Sequence, residues 1–368
     1  MNYINTIKTA CIYFPFIALL FTIPFILHQY HKYGSINKLR VIIVYSFILY
    51  LICIYFLVIL PLPNIKTMTP PKDNMIRLIP FGFILDIINE TTFRFNVPST
   101  YLKSLIDPCI YTVVFNIIMT IPFGIYLRYY FKLEKKKIIM FTFLLSLFFE
   151  FTQVSRLYFI YPYQYRVFDV DDLITNTFGG VVGYYLSHFI VRFLPSRDKI
   201  DKDSYMAGVK VSGLRRISLF CFDFALCFLI TANSIVLTNK NFMFLVIFIV
   251  YYMLIPLLFK EKQTLGSKFL NVKVEYRKYR LVIDFFRNIF LYMYYLVIPF
   301  ILIRLSNYIV IKLNIDTHES ILIYLITLFI IMLYWLLNIL YLIKKDYIYY
   351  DKIFKAKYIS TIKIKDGG

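Results

Sequence analysis

The sequence predicts an all-α polytopic membrane protein, with about nine transmembrane helices in a five-helix and a four-helix module and an interfacial helix near residues 76–95. Three observations predict it. Hydrophobic residues make up 60% of the 368 residues and charged residues 17%, against about 45–50% and about 25% in ordinary soluble domains. Mostly apolar stretches of about 17–25 residues recur along the chain, each long enough to cross a hydrocarbon core about 30 Å thick. The basic residues gather in the short segments between those stretches, as juxtamembrane charge does. The same composition excludes a disordered chain and a disulfide-stapled secreted domain. A net charge of +20 would suit nucleic acid only if the basic residues shared one water-facing surface. They do not, so the expected partner is the lipid bilayer and not nucleic acid.

In chain order the spans lie near 9–28, 41–61, 108–127, 138–157, 173–193, 217–237, 242–259, 288–311 and 320–343. The first follows a single Lys and has no small-residue cleavage site, which marks a retained span and not a cleaved signal. Met75–Phe95 is also apolar, but Arg77, Asp86, Glu90 and Arg94 interrupt it, a pattern suited to an interfacial helix. About three quarters of the 41 Lys and Arg fall on one side if 29–40, 128–137, 192–216, 260–287 and 344–368 are grouped together. That side is then cytoplasmic, with the N-terminus outside and the C-terminus inside, as an odd number of spans requires. The polar, Pro- and Gly-punctuated stretch 195–212 reads as a cytoplasmic linker between module 1–194 and module 213–368. Cys11, Cys53, Cys109, Cys221 and Cys227 fall in apolar runs without Cys-x-x-Cys or zinc spacing, so neither a disulfide framework nor a metal site is expected.

Polar residues in spans are costly and mark candidate sites. In the fourth span Ser146, Glu150 and Gln153 share one helical face, and Arg156 follows at its outer end. The next loop adds Arg166, Asp169, Asp171 and Asp172. The fifth span then places Asp172, Asn176, Gly179 and Gly183 on one face, where acidic residues at a helix start complement the macrodipole and the small-xxx-small pair admits close helix approach. In the third span Thr112, Asn116 and Thr120 form a similar stripe. With Arg77 these residues outline a mixed-charge outer pocket that would bind a polar group of an envelope molecule. Alternatively they pair among themselves, for example Glu150 with Arg77 or Arg156, and lock the bundle.

The strings RLIPF at Arg77–Phe81, N-x5-PFG at Asn116–Gly124, E-x-x-Q at Glu150–Gln153 and R-x-F-D-x-D-D-x3-N-x2-G-G from Arg166 to Gly180 resemble the VanZ-like family over residues 40–193. The resemblance implies a cell-envelope role and glycopeptide resistance of the teicoplanin type, with a cell-wall precursor, envelope polymer or glycopeptide as ligand. It implies no reaction. The long stretch Leu62–Asp107 departs from the family's pattern.

In the second half Arg216 and Asp223 lie two helical turns apart on one face, about 10.5 Å along the axis. An aspartate that deep needs a partner, and Arg216 and Arg287 are the candidates. The segment TLGSKFLNVKV reads as a Gly turn followed by a β-like alternation. The basic, aromatic tail KKDYIYYDKIFKAK carries Asp346 and Asp351. These features resemble the RDD family over residues 213–360, with Arg216, Asp223 and Asp351 as its named positions and Arg287 fitting as well. That resemblance implies transport, including sodium/proton exchange. A buried carboxylate could carry an ion, but a lone one without an acidic or histidine relay favours a structural ion pair. His28, His31, His188 and His318 are scattered and fit interfacial side chains better than ligands.

The chain has no nucleophile elbow, P-loop, dinucleotide fingerprint or zinc-protease motif, so no recognised catalytic motif and no cofactor are expected. Three readings remain: a non-catalytic envelope protein with an outer binding pocket, a transporter using Asp223 or Glu150, and a membrane enzyme using Glu150 and the Asp169–Asp172 cluster as general acid and base.

Overall fold

Apolar runs in this chain fold as helices because hydrocarbon offers the backbone no other hydrogen-bond partners. The computed structural model describes residues 3–71, 74–92, 96–104, 107–238, 243–276, 280–344 and 349–362. The first part of the chain forms α1 (Tyr3–Tyr33), α2 (Lys38–Ile59), β1 (Ile76–Arg77), α3 (Gly82–Glu90), α4 (Tyr101–Ser104), α5 (Pro108–Tyr129), α6 (Lys135–Val154), α7 (Arg156–Phe159), β2 (Phe168–Asp169) and α8 (Val170–Ile190). Then follow α9 (Arg197–Gly208), α10 (Gly213–Thr238), α11 (Met243–Ile249), α12 (Leu265–Phe269), β3 (Val272–Glu275), α13 (Arg280–Tyr292), α14 (Ile298–Lys312), α15 (Thr317–Lys344), α16 (Tyr349–Ile353) and β4 (Lys357–Ser360). The fold is all-α and polytopic, with only two short strand pairs among the described residues.

Seven described helical stretches are long and apolar enough to cross a membrane, two fewer than the sequence suggests. One of the missing two is α8, which has the length, 21 residues, but carries Asp171, Asp172, Asn176 and three glycines. The other is interrupted: α11 passes into a π-helical turn over Val250–Leu254 and a tight turn over Ile255–Leu258, where Pro256 removes a backbone donor. The eighth expected span starts earlier, at Arg280, and runs through a π turn at Met293–Val297 into α14. Residues 76–95 are not one helix: Ile76–Arg77 is a strand, Pro80 and Phe81 form a turn, and α3 covers nine residues, with Arg94 outside the described residues. Much of 195–212, expected as a linker, is helix α9.

The chain divides into two compact units, residues 1–22 with 38–200 and residues 23–37 with 201–368. In the first unit α5, α6 and α8 carry the core, where Ile54, Met119 and Phe149 form one cluster and Phe123, Leu127 and Ile138 another. Helices α5 and α8 meet backbone to backbone. A Cβ on Gly179 would strike the Ile117 carbonyl and the Thr120 hydroxyl, and one on Gly183 would strike the Ile121 carbonyl. That is the close approach small residues permit between membrane helices. The approach brings the N-terminus of α8 beside the C-terminal end of α6.

The second unit is organised by Arg215, which has no exposed surface. Its guanidinium donates to the carbonyls of Gly34 (3.1 Å), Gly208 (2.9 Å), Leu270 (2.9 Å) and Asn271 (2.7 Å). Four carbonyls from three separate segments therefore converge on one cation, and this draws residues 23–37 into the second unit. Tyr30, Val211, Leu219, Leu270 and Val272 pack as its core. The β-like alternation read at 271–274 is strand β3, paired antiparallel with β4 in the register Val272↔Ser360 to Glu275↔Lys357. Along α15, Leu325, Phe329, Leu336 and Leu340 are all more than half exposed, a surface suited to lipid and not to water.

Candidate functional site

Strands β1 and β2, the turn that follows β1, and the facing sides of α5, α6 and α8 build the polar cluster. Strand β1 pairs parallel with β2, placing Ile76 opposite Phe168 and Arg77 opposite Asp169. The following Pro80–Phe81 turn has Phe81 at φ 63°, a left-handed backbone that a bulky residue adopts only with support. Asp171 gives that support: its two carboxylate oxygens accept the N–H groups of Phe81 (2.6 Å) and Phe83 (2.8 Å). The RLIPF string is therefore the strand and turn that Asp171 anchors to the start of α8.

The other acidic residues are held in succession. Asp169 caps α8, its Oδ1 accepting from the Asp171 N–H at 2.9 Å. Burial, the larger cause, raises the Asp169 carboxyl above its ordinary range, and the hydrogen bond from Asp171 opposes it. Glu150, 2% exposed, accepts from the Asp169 N–H at 3.1 Å. Asp172 Oδ1 accepts from the Asn116 amide at 2.7 Å. Asn176 donates to Ser146 Oγ (2.9 Å), which donates to the Asp172 carbonyl (3.2 Å), while the Thr120 hydroxyl donates to the Asn176 carbonyl (2.7 Å). The polar faces read on α5, α6 and α8 thus meet one another.

Three of the ten sequence-selected residues, Gln153, Arg166 and Asp172, line a cleft of about 590 Å³, together with Pro61, Leu62, Pro63, Tyr165 and Val167. Arg166 is positioned by donating to the Leu60 carbonyl at 2.7 Å. The buried Tyr165 hydroxyl has no hydrogen-bond partner among the described residues. Asn116, Glu150, Asp169, Asp171 and Asn176 stand behind the cleft and fix its wall. Arg77 and Arg156 stand apart from it. Arg77 forms an exposed ion pair with Asp86 at 3.4 Å, and Arg156 donates to the Pro162 carbonyl at 3.0 Å, so neither makes the suggested pair with Glu150. Residues Arg156 to Phe159 all have positive φ, so α7 is a single left-handed turn at the end of α6.

Sequence reasoning missed Tyr165 and the Pro61–Pro63 wall. The aromatic loop YPYQYR offered a signal for Tyr165; nothing in the sequence linked Pro61 to a loop about a hundred residues later.

In the second unit the expected partnership is overturned. Asp223 is not paired with an arginine among the described residues: it accepts from the Tyr251 hydroxyl (2.5 Å), the Thr264 hydroxyl (2.8 Å) and the Gly266 N–H (2.9 Å). Arg216 and Arg287 instead flank Asp351 at 3.7 and 3.1 Å. Arg287 also donates to the Tyr358 hydroxyl. The TLGS turn supplies two of the three donors for Asp223, and β4, with the helix preceding it, supplies Asp351 and Tyr358. Asp346 lies outside the described residues.

No group of three or more His, Cys, Asp or Glu side chains among the described residues is arranged to hold a metal ion. No curated protein and no solved structure matches the chain. The comparison with known families gives no support for a fused RDD module. It matches residues 47–194, about two fifths of the chain, to VanZ/LLP1, and those limits enclose the α5–α6–α8 packing, the carboxylate chain and every residue of the cleft. This multi-pass membrane protein thus carries a VanZ/LLP1 family domain over residues 47–194.

Proposed function

We propose that the VanZ/LLP1 domain serves the cell envelope by binding a polar or charged group of an envelope molecule in the cleft of Gln153, Arg166 and Asp172. The ligand class is a cell-wall precursor, an envelope polymer or a glycopeptide, and the phenotype is resistance to glycopeptides of the teicoplanin type. One observation carries the reading: a guanidinium, a carboxylate, an amide and an unpartnered phenol converge on one cleft. The remaining acidic residues are occupied in holding its walls. Opposite charges side by side suit a zwitterionic or hydrogen-bond-rich group better than a simple ion. The basic-residue bias supports an N-terminus outside, a C-terminus in the cytoplasm and a cleft toward the exterior.

Transport through Asp223 is less favoured, because three neutral donors already hold its carboxylate. An RDD-like character for the second unit rests on Arg216, Arg287 and Asp351 meeting; a pH-dependent cation flux in vesicles, lost in Asp223→Asn, would favour the transporter. The test of the main reading compares glycopeptide susceptibility of cells carrying the parent protein, Glu150→Gln and Arg166→Ala at matched membrane abundance. Resistance from the parent, lost in both variants, supports the cleft. Variants that cannot be brought to matched abundance support a packing role, and full resistance from Arg166→Ala rejects the cleft.

A further inference from the structure

A second cavity, of about 330 Å³, lies wholly within the second unit and takes no part in the proposed envelope role. It is at the small end of ligand pockets, about 300–1,000 Å³, with room for a headgroup and the start of a chain. Its polar end holds Arg216, Arg287, Asn288 and Gln263. The carboxylates facing it, Asp223 and Asp284, are already engaged: the first by its three donors, the second by the Tyr276 hydroxyl and by Arg287 at 3.9 Å. Asp351, beneath them, is shared between two guanidiniums.

Arg216 is the group left with donors to spend. Its side chain is 9% exposed, its guanidinium lies 4.3 Å over the Tyr358 ring, and its contact with Asp351 at 3.7 Å is an ion pair too long for a hydrogen bond. Its Nε and Nη1 donate to no acceptor among the described residues. A buried guanidinium with unused donors is costly unless an acceptor reaches it. The rest of the lining is mainly apolar and includes Phe220, Leu296, Trp335 and Ile339. Trp335 and Ile339, 42% and 37% exposed, lie on α15 beside its lipid-suited surface, so the apolar end meets the bilayer. Basic pockets between helices near the cytoplasmic surface are where anionic lipid headgroups bind.

We propose that this cavity binds a membrane phospholipid with an anionic headgroup, the phosphate accepting from Arg216 and the first part of an acyl chain lying along Phe220, Leu296 and Trp335. Trp335 is the chain's single tryptophan and supplies a direct readout. Full-length protein in neutral detergent is titrated with short-chain phosphatidylglycerol, short-chain phosphatidylcholine or inorganic phosphate while Trp335 emission is followed. The expected result is a saturable change with phosphatidylglycerol, at least tenfold weaker binding of phosphatidylcholine, and no emission change from phosphate below millimolar concentration. Arg216→Gln, checked for monodisperse elution, should weaken phosphatidylglycerol binding at least tenfold, and Arg216→Lys less. Equal affinity for the two lipids would overturn the proposal, as would an unsaturable response. Phosphate reproducing the full change at the same concentrations would reject a lipid in favour of a soluble anion. The wild-type titrations decide the matter even if Arg216→Gln fails to fold.

Discussion

The two units solve the problem of buried charge in different ways. In the first, carboxylates outnumber guanidiniums and are satisfied mainly by backbone N–H groups and amides: Asp171 by Phe81 and Phe83, Glu150 by Asp169, Asp172 by Asn116. In the second, Arg215 spends itself on four carbonyls, while Arg216 and Arg287 share Asp351. Fixed neutral donors fold a loop tightly onto a helix start, which leaves the first unit a sculpted cleft at the bundle's end. Two cations on one anion leave donors over, which gives the second unit an interior site. A buried carboxylate in a membrane helix is therefore weak support for ion transport until its donors have been counted, and Asp223 shows why.

The sharpest break of this comparison is Asp223→Ala, which strands the Tyr251 hydroxyl and the Gly266 N–H at once, while the Thr264 hydroxyl keeps Ser267 as an acceptor. With about 1–3 kcal/mol for each stranded group, the loss should be at least about 2 kcal/mol, read as a large drop in the thermal midpoint of the detergent-solubilised protein. A midpoint within a degree of the parent would show that Asp223 is not the lock described. Next comes Asp171→Asn, where one oxygen can still accept but the amide NH2 faces a backbone N–H. About 1–2 kcal/mol should be lost, with faster proteolysis at residues 76–83 and unchanged cleavage in the second unit.

Arg166→Ala sharpens the comparison from the functional side. Stability should fall by about 1 kcal/mol, the order of one hydrogen bond to a loop carbonyl at a half-buried site, while resistance is lost. A large fall in stability would move Arg166 from the cleft to the scaffold. The smallest effect belongs to Arg77→Ala. Its pair with Asp86 is exposed, and such pairs contribute about 0–1 kcal/mol, so both midpoint and resistance should stay at parental values. A marked loss of resistance from that variant alone would return Arg77 to the site.

The membrane class was legible from composition, and the α5–α6–α8 contact from the stripes Asn116–Thr120, Ser146–Glu150–Gln153 and Asn176–Gly179–Gly183. Those stripes obey helical spacing, and side chains too polar for lipid must face each other. Partners were not legible. Glu150 accepts from a backbone N–H, and Asp171 from two, and a sequence does not advertise main-chain donors. The Arg216–Asp223 pair failed for a related reason: a shared helical face implies proximity, but Thr264, Gly266 and Tyr251 offer closer donors from elements remote in sequence. Counting α8 as an ordinary span overlooked how much of its surface is polar or glycine. The one helix expected near 76–95 is cut to a strand, a turn and the nine-residue α3 because Asp171, ninety residues on, anchors the turn.

The claim that most needs testing is that the Gln153–Arg166–Asp172 cleft opens to the cell exterior. Val167, exposed on the cleft wall, can be replaced by Cys in a chain whose five native cysteines have been removed. An impermeant maleimide should then label Val167→Cys in intact cells as fully as in permeabilised ones. Labelling that requires permeabilisation would place the cleft in the cytoplasm and contradict the account.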